Sequence, residues 1–85
     1  LLEEGAFNQM GKNTMVYVRE KHPNYRLKGL LVHDTNNNEK PVTWMAEEGY
    51  ITFDEKGYPS LILVKGTRQE ISQEQQSILE FSLIC

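Results

Sequence analysis

Short runs of alternating apolar and polar residues, cut at regular intervals by turn-forming residues, constrain the fold of this chain more than any other feature. Successive side chains of a β-strand point to opposite faces of its sheet. In residues 13–20, Val16 and Val18 therefore share one face, and Met15, Tyr17 and Arg19 share the other. This period of two favours strands over helices.

The same pattern predicts strands over 5–10, 13–20, 26–34, 41–54, 58–65, 67–71 and 76–84. Lys65-Gly66 is interpreted as a turn between two of them, and Gly49 predicts a bulge or bend inside residues 41–54. A helix over 73–80 stays open, because Ser72 and Gln75 have the spacing of a capping box. Many short strands with turns every 8–12 residues or so are typical of a sandwich, jellyroll or small barrel. We expect one domain over residues 1–85.

Composition and charge exclude several classes of protein. Hydrophobic residues make up 39% of the chain, enough to build a core, so a disordered chain is not expected. The longest apolar run, Leu61 to Val64, is far too short for a transmembrane helix. A single cysteine, Cys85, excludes a disulfide scaffold. The first residue is Leu, and the chain stops inside an apolar segment, so we expect a domain of a longer protein.

The residues that could carry catalysis do not form a recognisable site. His33 precedes Asp34 at a strand end, but no nucleophile turn accompanies them. The carboxylate pairs Glu47-Glu48 and Asp54-Glu55 are adjacent in strands or turns, so their side chains diverge. The two histidines and Cys85 lack the close spacings of a zinc site. We therefore predict no enzyme activity, no metal and no cofactor.

A basic set interleaved with tyrosines leaves a nucleic-acid binder open as an alternative. Arg19, Lys21, Arg26 and Lys28 lie on adjacent predicted strands, with Tyr17 and Tyr25 between them, as in OB-type barrels that bind single strands. The net charge of −3 argues against this alternative. We expect no nucleic-acid partner.

Five groups of segments, in this order, resemble the periplasmic domain of the LptF/LptG permeases, the membrane subunits of the lipopolysaccharide-export ABC transporter, and resemble LptF most. The segments are 1–8 with 15–20, then 27–34, then 40–43 with 46–49, then 63–70, and finally 79–81. The stretch 46–67, from Ala46 through Phe53-Asp54 to Lys65-Gly66-Thr67, also resembles the OstA-like strands of soluble carriers in that pathway. Trp44 and Met45 depart from the family, which has smaller aliphatic residues there.

The resemblance implies an all-β, OstA-like β-jellyroll, an open V-shaped pair of antiparallel sheets whose apolar interior receives lipopolysaccharide. It implies a place on the periplasmic face of the Gram-negative inner membrane. The implied partners are lipopolysaccharide, an adjacent LptC-like jellyroll paired through a sheet edge, the paralogous permease subunit and a separate ATPase subunit. A β-sandwich adaptor that binds protein or carbohydrate through a fully packed domain stays open as the second hypothesis.

Alternation then assigns residues to the interior face that would line the lipid path. Val16 and Val18 are assigned there because Arg19 belongs to the opposite face. In the last strand, the interior face is the one opposite to the polar residues Glu80 and Ser82. In residues 41–54 the choice depends on the register at Gly49. The residues predicted to line the interior are Val16, Val18, Leu31, Ile51, Phe53, Leu63, Leu79, Phe81 and Leu83.

Overall fold

The computed structural model describes residues 2–71 and 76–84, with side chains described for residues 2–70. The fold is all-β, as predicted. The strands are β1 (Phe7–Gln9), β2 (Thr14–His22), β3 (Arg26–Asp34), β4 (Val42–Phe53), β5 (Pro59–Ile71) and β6 (Gln76–Ile84). In the part of the chain that is described, no helix has the length and hydropathy needed to cross a membrane.

The six strands form one open antiparallel sheet in the order β1-β2-β3-β4-β5-β6. Each strand pairs with the next along the chain, which agrees with a jellyroll or sandwich type of domain. The predicted turn at Lys65-Gly66 is wrong, because β5 runs through it without interruption. The strand prediction for 76–84 is confirmed, whereas the capping-box residues 72–75 lie outside the described residues.

A crease crosses the sheet from β2 to β5. Val18 pairs with Leu30 and Glu20 with Lys28, so Arg19 and Gly29 face each other between two regular pairs. The pairing of β3 with β4 and of β4 with β5 is interrupted at the same level. The residues there are Glu47 in β4 and Lys65 in β5. Gly29 and Lys65 have φ angles of 68° and 56°, far from extended backbone. The crease divides the sheet into two halves.

The alternation of buried and exposed positions along a strand shifts by one residue across this crease. Leu27 and Leu30 are both buried although they are three residues apart, and so are Ala46 and Gly49. A regular strand would place residues three apart on opposite faces. The predicted bend near Gly49 therefore corresponds to a change of face between Ala46 and Gly49, for which the positive φ of Gly29 and Lys65 provides the geometry.

The core lies on one face of the creased sheet, called here the inner face. It consists of Leu2, Val16, Val18, Leu27, Leu30, Val32, Ala46 and Leu63, with Met10, Trp44, Ile51 and Leu61 packed against it. Among side chains that the structure describes, no buried one is polar or charged. Val16 and Val18 are fully buried, and each such side chain stabilises the fold by about 1.5–3 kcal/mol relative to exposure.

Candidate functional site

The apolar inner face brings together four of the residues predicted to line the interior. Val16 and Val18 are fully buried, Leu63 is buried, and Ile51 is half-buried against the same cluster. Val16 and Val18 lie on one side of the crease and Ile51 and Leu63 on the other. At the crease, the strand positions that point to the inner face shift by one residue. Residues from both halves can therefore contribute to one core.

Two other predicted positions lie elsewhere. Leu31 pairs with Tyr17 and Met45 and lines a groove on the outer face with them, whereas its neighbours Leu30 and Val32 are buried. Phe53 is 45% exposed at the end of β4, where its ring packs edge-on against Tyr25. The structure brings neither side chain into the buried cluster.

For the last strand, the structure gives only the backbone register. Leu79 pairs with Arg68, Phe81 with Gly66, and Leu83 with Val64. The crease falls between Phe81 and Leu83, because the pairs on either side of it are Gly66–Phe81 and Val64–Leu83. The side chains of these three residues lie outside the described ones, so their assignment to the lipid path stays a prediction.

Leu2, a residue that the sequence did not single out, occupies the open end of the inner face. Its side chain is only 4% exposed. One cleft of about 420 Å³ lies beside it, lined by Met10, Ile51, Leu61 and others. A second cleft of about 430 Å³ is lined by Leu2 and Ile51 again, together with Leu27 and Tyr25. Leu2 and Ile51 thus separate two mostly apolar openings of the interior.

Short-range hydrogen bonds hold the segment that carries Leu2. The Asn8 side chain accepts the N–H of Glu3 at 2.8 Å and donates to the carbonyl oxygens of Glu3 and Ala6 at 3.0 and 3.1 Å. The Glu4 carboxylate accepts the N–H of Lys21 at 2.7 Å. The segment is therefore tied to both β1 and β2. No alternation pattern in residues 2–4 could have indicated this placement.

One polar group reaches the edge of the inner face. The guanidinium of Arg68 lies 5.3 Å from the centre of the Trp44 ring and 2.8 Å from the Glu70 carboxylate. The arginine and glutamate side chains are about three-quarters buried, at 26% and 28% exposure. Trp44 packs against the core, as expected for a strand tryptophan. Stacking against Arg68 thus accommodates the large Trp44 ring at this position.

The weak catalytic candidate is not assembled. The Nδ1 atom of His33 lies 2.8 Å from the Thr43 hydroxyl, while the Asp34 carboxylate accepts two N–H groups of Asn36. Asp34 therefore orients the following turn. Within residues 2–70, no three His, Cys, Asp or Glu side chains come close enough to hold a metal ion.

The basic strip of the nucleic-acid alternative is interrupted by carboxylates. Glu20 lies 3.3 Å from Arg19 and 3.0 Å from His22. The hydrogen bond from His22, helped by Arg19 and opposed by desolvation, lowers the pKa of the Glu20 carboxyl. Lys28 lines the outer groove opposite Glu47 and Glu48. This surface carries mixed charge and offers no continuous track for a phosphate backbone.

The arrangement can therefore hold apolar chains better than it can perform chemistry. In a comparison with protein families, the model of the family described as "Lipopolysaccharide export system permease LptF/LptG" matches residues 1–83. No curated protein matches the chain. The matched range covers β1 to β5, β6 up to Leu83, the Leu2 segment and both clefts.

Proposed function

Because this chain belongs to the LptF/LptG family of lipopolysaccharide export permeases, we propose that it is the periplasmic jellyroll domain of such a subunit, with residues 1–85 forming one domain of a longer inner-membrane protein. In this role its inner face receives the acyl chains of lipopolysaccharide from the membrane. A neighbouring LptC-like jellyroll, paired through a sheet edge, takes the lipid onward. A separate ATPase subunit supplies the energy, and the paralogous permease completes the membrane part.

The observation that carries this proposal is the pair of apolar clefts at the open end of the inner face. Both clefts reach Ile51, and both are closed on one side by Leu2. An acyl chain that enters there gains about 0.8 kcal/mol per buried methylene. Val16 and Val18, in contrast, are already fully buried by their protein neighbours. Lipid therefore enters at Ile51 and Leu61 before it reaches the deeper valines.

A photo-crosslinking residue in the intact transporter tests the proposal. At Ile51 or Leu61 we expect ATP-dependent capture of lipopolysaccharide. At Arg19 or Lys56, which are polar and outside the core, we expect none, and the same holds for Glu80. Equal capture at the inner and outer positions, or no capture at Ile51 and Leu61 in a transport-competent complex, would contradict a lipid path along this face.

The adaptor hypothesis is the second candidate, favoured by the complete burial of Val16 and Val18. A domain whose core is sealed needs no lipid and would act through its surface. The two hypotheses differ at Leu2. In an adaptor, shortening this side chain only lowers the free energy of unfolding, whereas in a lipid-binding domain it also changes lipid capture at Ile51.

A further inference from the structure

The segment before β1 places one aliphatic side chain at the open end of the inner face. We call residues 2–6 the strap. Leu2 is 4% exposed, whereas residues 3–5 are exposed and Ala6 is half-buried. Most of the strap therefore lies in solvent, and Leu2 is its one side chain that is buried in the core.

The seat of the Leu2 side chain lies between the two apolar clefts. Leu2 and Ile51 are the residues that line both of them, and the clefts have volumes of about 420 and 430 Å³. Ile51 belongs to β4, whereas Leu2 belongs to the strap. Departure of the Leu2 side chain therefore connects the two clefts into one apolar groove along Ile51 without moving any strand of the sheet.

Polar bonds at the surface fasten the strap to the sheet. The Asn8 side chain bonds both the N–H and the carbonyl oxygen of Glu3, and the Glu4 carboxylate accepts the Lys21 N–H, all at exposed positions. Water replaces the partner when an exposed hydrogen bond breaks, so the net cost of opening such bonds is small. The backbone of the strap meets the sheet at Val18, whose carbonyl oxygen accepts the Gly5 N–H at 2.8 Å.

Gly5 gives the strap a point about which it can turn. Its φ angle is 73°, and no described heavy atom lies within 4 Å of a β-carbon built at this position. Glycine changes its backbone angles without steric penalty, and hinges are a few loop positions that absorb such changes. The strap can therefore swing at Gly5 while β1 keeps its register with β2.

The side chain of Leu2 and an acyl chain compete for the same surface. Both are aliphatic, and the gain from burying them is non-directional and proportional to the apolar area removed from water. A leucine side chain is short, whereas an acyl chain that fills both clefts removes a larger area from water. The longer ligand therefore wins the seat when it is present, and Leu2 keeps the seat when the domain is empty.

We propose that the strap occludes the empty domain, and that Leu2 leaves its seat when an acyl chain enters the two clefts. The inference rests on the proposed function, since the displacing ligand is the acyl chain which that function assigns to the inner face. In the closed state the strap limits the apolar surface exposed to water. When the lipid passes onward, Leu2 returns to its seat and opposes backward movement of the lipid.

Thiol reactivity at position 2 tests the proposal. The intact permease complex, with its cysteines replaced, carries Leu2→Cys and is reconstituted in bilayers with or without lipopolysaccharide. We expect a water-soluble maleimide to modify the thiol several-fold faster when lipopolysaccharide and ATP are present. Ile51→Cys should respond in the opposite direction, because lipid covers this position while the strap opens. Each variant is compared with itself in the two lipid states.

Two matched controls separate the strap from the sheet. Leu30 is also 4% exposed but lies within β3, so Leu30→Cys should stay unreactive in both lipid states. Asn8→Ala, added to Leu2→Cys, should speed modification without lipid, whereas Gln9→Ala should not, since Gln9 bonds two carbonyl oxygens of the β1–β2 turn. Continued protection of Leu30→Cys in the Asn8→Ala background shows that the sheet remains folded.

The outcomes distinguish the strap from the proposed function. Equal modification of Leu2→Cys with and without lipopolysaccharide, while lipid protects Ile51→Cys, would overturn the strap and leave the proposed function intact. Faster modification of both Leu2→Cys and Leu30→Cys would overturn the strap in favour of an opening of the whole sheet. No protection of Ile51→Cys in a transport-competent complex would refute the proposed function itself.

Discussion

Gly66 lies so close to the main chain of Met45 that a β-carbon at position 66 would collide with the Met45 carbonyl oxygen. The same β-carbon would stand 2.8 Å from the Cα of Ala46. The neighbour of Gly66 in sequence, Lys65, has the positive φ of the crease. Close approach of β4 and β5 at this point therefore depends on glycine.

Gly66→Ala should destabilise the fold strongly, because the atoms that it meets are backbone and cannot move aside. We expect a cost of more than 2 kcal/mol or so, in the range of overpacked cores. Gly11→Ala is the matched control, since Gly11 has a φ of 78° but nothing within 4 Å of a β-carbon. Chemical denaturation of both variants measures the difference. Position 66 itself has no positive φ, so a loss in Gly66→Ala no larger than that in Gly11→Ala would contradict the close contact of β4 and β5.

Adjacent leucines give a second test, of the face assignment. Leu30 is 4% exposed in the core, whereas Leu31 lies on the outer face with Tyr17 and Met45. Leu30→Ala should cost about 2–5 kcal/mol and Leu31→Ala clearly less. Both variants replace leucine by alanine at neighbouring positions of one strand. The intrinsic helix and strand preferences of the two residue types therefore cancel when the two losses of stability are compared. Equal losses would contradict the alternation described for β3.

Local pattern was sufficient to predict the strands and most of the turns, because alternation and turn residues act over a few positions. The local pattern was insufficient at Lys65-Gly66. These two residues favour a turn in sequence, but in the structure they form part of the crease within the continuous strand β5. A crease is a property of four neighbouring strands, and Gly29, Glu47 and Lys65 meet only after the sheet forms.

The candidate site shows the same limit. Val16 and Val18 could be assigned to the interior from Arg19 alone. Leu31 could not, since its strand has apolar residues at 30, 31 and 32 and the pattern does not choose between faces. The position of Leu2 could not be predicted, because its segment is held by the side-chain oxygens of Asn8 and Glu4, which accept the N–H groups of Glu3 and Lys21.

The turn after β4 yields a third prediction. Asp54→Ala should lower the free energy of unfolding by roughly 1.5–3 kcal/mol, because two N–H groups lose a charged acceptor. Asp54→Asn should lose less, since an amide oxygen can still accept. Glu55→Ala, a neighbouring carboxylate in the same turn, is the control and should have little effect. Hydrogen exchange of the Tyr58 N–H locates the loss; unchanged protection in Asp54→Ala would contradict this geometry.

The last prediction concerns Leu2 as the divider of the two clefts. Leu2→Ala removes most of the side chain that separates them, so the clefts beside Ile51 should merge into one longer apolar groove. We expect a cost to stability of about 2–5 kcal/mol, as for other buried leucines, together with increased capture of lipopolysaccharide at Ile51 in the intact transporter. Leu2→Met keeps the volume and should change neither quantity much. Asn8→Ala offers an independent route to the same state, because it frees Glu3 without altering the apolar lining. If Leu2→Ala and Asn8→Ala both lower stability while capture at Ile51 stays constant, Leu2 serves only to seal the core, and lipid reaches Ile51 by another side of the sheet.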